Sequence, residues 1–244
     1  MKRFVFVTVA SLLLFCALIS PGVHAMNTGF QTEEIPLKER INLRYSVKLI
    51  EEEPKRTAIE CFDVNEEGTI ALCTRRICGT MIEYTVRIYN SEGDFQYGLQ
   101  LENQGAIQIE WEGYERINIY YVRGGDLVTF DSTGTKLEEK RVLNNIENGR
   151  FRRILASRER KVGEEEYSIQ KNMGLLGLFS PSCTQLIVKD AFGKERVLYD
   201  VRTQQIIKIW IILTAISLFI FSICKKVFEN LLNRNTSVKQ TPFF

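Results

Sequence analysis

From Ile41 to Val201 the chain alternates apolar and polar residues almost continuously, and glycine interrupts the alternation at recurring distances. In "RINLRYSVKLI", Ile41, Leu43, Tyr45, Val47 and Leu49 fall on one side and the polar residues on the other. A period of two matches an extended chain, whose successive side chains point to opposite faces; a helix would scatter the same residues around its axis. Shorter runs follow: "TAIECFDV", "TIALCTR", "IEYTVRIY" and "DFQYGLQL"; then "AIQIEW", "ERINIYYV", "DLVTF" and "TKLEEKRV"; then "EYSIQK", "LLGLFS", "TQLIVK" and "KERVLYDV". The expected fold class is all-β.

The breaks between runs share a chemistry. "DVNEEG", "YNSEGD", "FDSTGT" and "VKDAFGKE" each set an acidic or amide residue shortly before a glycine. Glycine takes the left-handed conformation that closes a hairpin, and an Asp or Asn side chain supports the turn. Gly68, Gly113 and Gly174 are expected after the first strand of successive units, at steps of 45 and 61 residues. Gly93, Gly134 and Gly193 are expected after the third strand, at steps of 41 and 59. Both series fit a four-stranded antiparallel unit of about 40–45 residues, the spacing of propeller blades. The units fall at about 57–101, 106–142 and 166–201, with an insertion at 143–165.

"CFDVNEEGTIALCT…TVRIYNSEGDFQYGL" resembles the blade pattern of beta-propeller proteins of the broad NHL and quinoprotein-like kind. "IQIEWEGYERINIYYVRGGDLVTFDSTGTKL" is similar with a shorter middle, and 167–201 is a looser match. The resemblance covers about half of the chain and implies tandem blade-like sheets without assigning a subfamily. Closed propellers have about four to eight blades, and this chain has three. The arrangements that follow are a partial propeller in which the Ile41–Ile50 strand completes a sheet, a ring closed by homo-oligomerisation, or a small sandwich.

Two apolar ends frame this region. Lys2 and Arg3 precede an apolar run, Phe4–Ile19, and Val23-His24-Ala25 has the small-x-small pattern of a cleavage site, so 1–25 reads as a signal peptide, with an uncleaved anchor as the alternative. From Ile209 to Cys224 nothing is charged, and Ile206–Cys224 as a helix spans about 28 Å, close to the hydrocarbon thickness of a bilayer. The reading is a transmembrane helix at 206–224 and a short basic tail at 225–244. Lys225, Lys226, Arg234 and Lys239 against Glu229 place that tail in the cytoplasm and the region 26–205 outside it, in a single-pass protein of the cell membrane. Setting aside the seven basic residues and one acidic residue of the two ends leaves 25 basic against 29 acidic ones, a balance opposed to nucleic-acid binding.

Chemistry-bearing motifs are sparse. His24 is the only histidine and falls within the expected signal, which removes imidazole catalysis and histidine-ligated zinc. Phosphate-loop and dinucleotide-binding glycine motifs and a Cys-x-x-Cys pair are absent. Asp63, Asn65, Glu67 and Gly68 fit the start of a calcium loop, but Thr74 stands where a glutamate is needed, and a decorated hairpin is the better account. A turn at Glu66-Glu67-Gly68 sets Cys61 opposite Cys73, as a disulfide or as two buried free thiols. Arg150, Arg152, Arg153, Arg158, Arg160 and Lys161 make a basic cluster suited to a solvated loop or to anionic lipid or wall polymer. Trp111, Tyr114, Tyr120 and Tyr121 suit an aromatic binding surface or sheet packing. No catalytic residue, metal or cofactor is expected. The function expected is a membrane-anchored, non-enzymatic interaction, scaffold or ligand-sensing module with a protein partner. The alternatives are a carboxylate-based hydrolase using Glu110 and Glu112, and an accessory subunit of a membrane complex.

Overall fold

The computed structural model describes residues 29–36, 45–79, 81–179 and 182–238; the expected signal at 1–25 and the end of the tail lie outside the described residues. The described chain forms three antiparallel sheets and a C-terminal helix. In the first sheet β3 (Ile59–Val64), β4 (Ile70–Cys78), β5 (Met81–Tyr89) and β6 (Phe95–Asn103) follow one another as a meander, and β2 (Lys48–Ile50) adds to β6. The second repeats the plan with β7 (Ile107–Glu112), β8 (Arg116–Tyr121), β9 (Asp126–Phe130) and β10 (Lys136–Val142), extended by β1 (Thr32–Glu34). The third holds β11 (Glu159–Val162), β12 (Glu165–Gln170), β13 (Gln185–Lys189) and β14 (Glu195–Asp200).

Four of the connecting turns are copies of one another. Asn65, Asn90, Asp131 and Asp190 each accept, on side-chain Oδ1, the backbone N–H groups two and four residues ahead, at 2.8–3.1 Å. In each, the glycine three residues on has φ between +79° and +96° and donates its N–H back to the Asx carbonyl. The short side chain supplies the acceptor and glycine supplies the left-handed step, so the sequence Asx-x-x-Gly dictates the corner.

The first sheet lies in the middle of the stack. One of its faces, with Cys73, Val86, Ile88 and Leu99, packs on Ile109, Trp111, Ile119 and Phe130 of the second sheet. Its other face, with Phe62, Leu72 and Tyr89, packs on Tyr167, Leu186 and Tyr199 of the third. Burial on both sides explains why "TIALCT" is a nearly continuous apolar run rather than an alternating one. Along the stack the order is second, first, third, so the third sheet does not continue outward from the second. The outer face of the second sheet is covered instead. There Phe30 stacks near Tyr120 and Phe151 of α1 (Ile146–Leu155), and Arg152 lies over the Tyr120 ring. The N-cap Asn145 starts α1, and Asn148 ties it to the backbone of Gln31. None of the three sheets closes into a barrel; each ends in two edge strands.

Two strand expectations are corrected. The first strand of the third sheet is β11, inside the stretch assigned to the insertion, and it turns at Gly163 (φ +59°) rather than at Gly174. "LLGLFS" is not a strand: Gly174–Phe179 is a 3-10 helix lying against the C-terminal helix. Asn172 (φ +31°) and Gly174 (φ +56°) take left-handed conformations that an extended strand cannot contain.

β14 runs into α2 (Arg202–Val238) without a linker. Asp200 accepts the backbone N–H of Arg202 at 2.8 Å, and Val201 between them is buried. Residues Arg202–Lys226 are long and apolar enough to cross a membrane, and only 6% of the most apolar stretch is buried against the protein. The helix is longer than the expected 206–224 and continues through part of the expected tail.

Candidate functional site

The direction of β14 distinguishes the two ends of the stack. Its first residues adjoin the Asp190–Lys194 turn, and its last enter α2 six residues later, about 20 Å away at the rise of a strand. Arg196 donates to the Ser91 and Glu92 carbonyls, a Cβ on Gly68 would touch Ser91, and Tyr114 donates to Glu66. These turns therefore share the end remote from α2. The hairpin between β4 and β5, with exposed Ile77 and Cys78 near its tip, belongs to the α2 end.

At that end a cavity of about 300 Å³ opens between the segment before β3, the β4–β5 hairpin and α2. Lys55, Arg56, Arg75, Arg76, Arg87 and Lys208 line it, with Glu83 the one carboxylate in its wall among the described residues. Arg87 is 1% exposed, the largest fully buried side chain of the core. Its guanidinium donates to the carbonyls of Pro54 and Lys55 at 2.8 and 2.9 Å and to the Thr74 hydroxyl at 3.2 Å. The nearest carboxylate, on Glu53, is 4.0 Å away. Arg87 is thus a buried cation hydrogen-bonded to neutral oxygens, with the Glu53 carboxylate at the limit of ion-pair distance, beneath the cavity floor.

The cations differ in commitment. Arg56 is bound to Glu53 at 2.7 Å and Arg75 to Glu60 at 3.2 Å. Among the described residues no carboxylate stands within ion-pair distance of Lys55, Arg76 or Lys208, and all three are exposed. Burial raises the Glu53 carboxyl, but hydrogen bonds from Arg56 and Tyr89 and the charges of Arg56 and Arg87 outweigh it and hold the group below the usual glutamate range. Tyr199 fixes the segment from beneath: its hydroxyl accepts from Thr57 N–H at 2.8 Å and donates to Thr57 O at 2.7 Å.

The residues expected from sequence fall elsewhere. Of the basic cluster, Arg150, Arg153, Arg158 and Lys161 are exposed and Arg152 is half-buried over Tyr120. Arg160 is a correction: it is buried and paired with Asp63, so it meets no external anion. The aromatic surface is corrected likewise. Trp111 and Tyr121 are buried between the first and second sheets and Tyr120 beneath Phe30 and Arg152, which leaves Tyr114, 53% exposed, at the turn end. Cys61 and Cys73 do stand opposite each other in the β3–β4 ladder, both as buried free thiols. Asp63 and Asn65 use their oxygens on Arg160, Trp111 N–H and the turn backbone, which leaves no calcium loop there. Glu110 and Glu112 border a cavity of about 130 Å³ with Glu138 and Lys140, well under the roughly 300 Å³ at which ligand pockets begin. Among the described residues no group of three or more His, Cys, Asp or Glu is placed to hold a metal.

The basic cavity draws on residues 54–57, 74–76, 83, 85, 87 and 208, which no local pattern connects. "PKR" and "TRR" at strand ends are its sequence trace, and they converge only once the meander register is known. Comparison of the chain with protein-family models, curated proteins and solved structures finds no match to any of them.

Proposed function

We propose that the chain is a single-pass, membrane-anchored, non-enzymatic interaction module, which holds its β-sheet stack outside the cytoplasm and presents the Asx-Gly turn end to a protein partner. The observation that supports this reading is the unbroken passage from β14 into α2 through buried Val201. A stack joined to an apolar helix without a linker is held in a set orientation, with its turns facing away from the helix. Phe192, 96% exposed at the tip of the Asp190 turn, and Tyr114 put large apolar side chains at that remote end. Aromatic side chains exposed on a tight scaffold suit protein contact, where they anchor binding at small entropic cost. The basic residues flanking the apolar helix on its far side, Lys225 and Lys226, favour a cytoplasmic C-terminus.

The test uses the full chain in its own membrane. A Phe192→Cys variant that also carries Cys78→Ser is expected to react with a membrane-impermeant maleimide on intact cells, and a photo-crosslinking residue at Phe192 is expected to capture a discrete protein. Labelling only after the cells are opened would refute the sidedness; no crosslink at Phe192 or Tyr114 would refute the partner.

A further inference from the structure

We infer that the cavity lined by Lys55, Arg76 and Lys208 over buried Arg87 binds a phosphate-bearing anion, delivered by the headgroup of an anionic phospholipid. This rests on the membrane-anchored reading of α2.

Lys208 lies six residues into α2, about 9 Å along the axis from Arg202, and the uncharged run begins at the next residue. A lysine at the start of such a run keeps its ammonium at the headgroup level. Because Lys208 is itself a wall of the cavity, the cavity opens at that level too. The exposed Ile77, at the β4–β5 tip beyond Arg75 and Arg76, faces the same zone.

Charge then selects the ligand. Three exposed cations with no carboxylate at ion-pair distance among the described residues surround the opening, against the single wall carboxylate of Glu83 opposite Arg76, and beneath them lies Arg87, bound to two backbone carbonyls and 4.0 Å from Glu53. Arg56 and Arg75, each already bound to one glutamate, complete the rim without adding free charge. Lysine and arginine from separate segments, converging on a concave site of about 300 Å³, recognise a compact anion, and the phosphodiester of a phospholipid headgroup fits the sign of the charge while the headgroup fits the size. The reverse arrangement, acidic residues beside an anionic bilayer, would repel the surface on which the stack rests. The domain as a whole is slightly acidic, so this basic site is a local exception.

The experiment measures thermal unfolding of the full chain in nanodiscs of phosphatidylcholine alone, of phosphatidylcholine with added inorganic phosphate, and of a phosphatidylcholine–phosphatidylglycerol mixture. Native mass spectrometry of lipid adducts from detergent accompanies it. Wild type is expected to gain stability in the mixed discs and to retain phosphatidylglycerol about tenfold more strongly than a Lys55→Glu, Arg76→Glu variant. An Arg150→Glu, Arg153→Glu variant, with the same charge change on α1, is expected to behave as wild type. Both altered positions of the test variant are exposed, and an unchanged melting temperature in phosphatidylcholine discs verifies that it folds. Stabilisation by inorganic phosphate in place of the lipid, abolished in the test variant, supports the site and assigns it a soluble ligand. Equal lipid retention by wild type and the test variant overturns the inference. Recovery of the chain in the soluble fraction after carbonate extraction would overturn the anchoring itself, which separates the two failures.

Discussion

Arg160 Nε donates to Asp63 Oδ1 at 2.9 Å, with the two side chains 3% and 1% exposed, and through this pair β11 is joined to β3 across 97 residues of sequence. Asp63 also accepts the Trp111 N–H of β7 at 2.7 Å, so one carboxylate touches all three sheets. Arg160 reaches further, to the carbonyls of Leu155, Ser157 and Glu159 and across the Phe62 ring. Removing one partner of such a pair leaves an uncompensated buried charge. Arg160→Met is expected to cost about 3–5 kcal/mol, measured by denaturant unfolding of the full chain in detergent. Adding Asp63→Asn, which removes the charge but keeps an acceptor for Trp111, is expected to recover roughly 1–2 kcal/mol of that loss. Strict additivity of the two changes would show that the pair is not the junction.

The Asx-Gly corners allow a cleaner experiment, because nature has made the same turn in different surroundings. Gly134 and Gly193 have φ of +80° and +79° within the same hydrogen-bond pattern. A Cβ at Gly134 would stand 3.0 Å from Val47 Cγ2, whereas one at Gly193 would meet only the end of Lys189 at 3.6 Å. Gly193→Ala is expected to cost about 1–2 kcal/mol, the left-handed penalty alone. Gly134→Ala is expected to cost more by roughly 1 kcal/mol, since Val47 must move off Leu99. Equal losses would mean that the second sheet's turn yields freely.

How much of this was legible in the sequence follows from the range of each interaction. The Asx-x-x-Gly corners are local, and the four that carry this pattern and the Cys61–Cys73 register could be read directly from residues 61–73 and their repeats. The β-rich class and the apolar C-terminal helix were legible for the same reason, since each is written in consecutive side chains. Gly174 misled because Asn172 and the 3-10 helix interrupt a stretch that is apolar enough for a strand, while the four-residue β11 looked like charged loop. The order of the sheets was not legible, because it depends on α1 and Phe30 occupying the outer face of the second sheet. Arg160 and the cavity cations escaped for a related reason. Whether an arginine is a buried partner or a free charge is decided by residues far along the chain, and neighbouring letters do not carry that information.

Glu53 links stability to pH at the edge of the basic cavity. Arg56, Arg87 and the Tyr89 hydroxyl surround it, at 2.7, 4.0 and 2.8 Å, and its carboxyl is held below the ordinary value of about 4.3. A depressed folded-state value means that the stabilising contribution is fully present above the unfolded value and is lost as the pH falls through the folded one. The melting temperature of wild type should therefore exceed that of Glu53→Gln at pH 6, and the two should converge as acid protonates the carboxylate below about pH 4. A gap of constant size from pH 6 to pH 3 would assign Glu53 a packing role in place of an ionic one.

The cysteines offer a final check on the packing of the middle sheet. Cys73 is wholly buried, with burial pushing its thiol well above the usual range and the neighbouring Cys61 adding to the effect; burial also raises Cys183. The thiolate is the reactive form, so these groups should react slowly even when a reagent reaches them. Cys78 is exposed near the β4–β5 tip, and Cys224 lies in the apolar part of α2. A hydrophilic maleimide added to the folded chain in nanodiscs is expected to modify Cys78 alone, with Cys61, Cys73 and Cys183 following only on unfolding. Peptide mapping without reductant reads the same residues for oxidation. Finding Cys61 and Cys73 in one crosslinked peptide would mean that the β3–β4 ladder closes a covalent bridge, and that its two thiols approach more closely than the packing here requires.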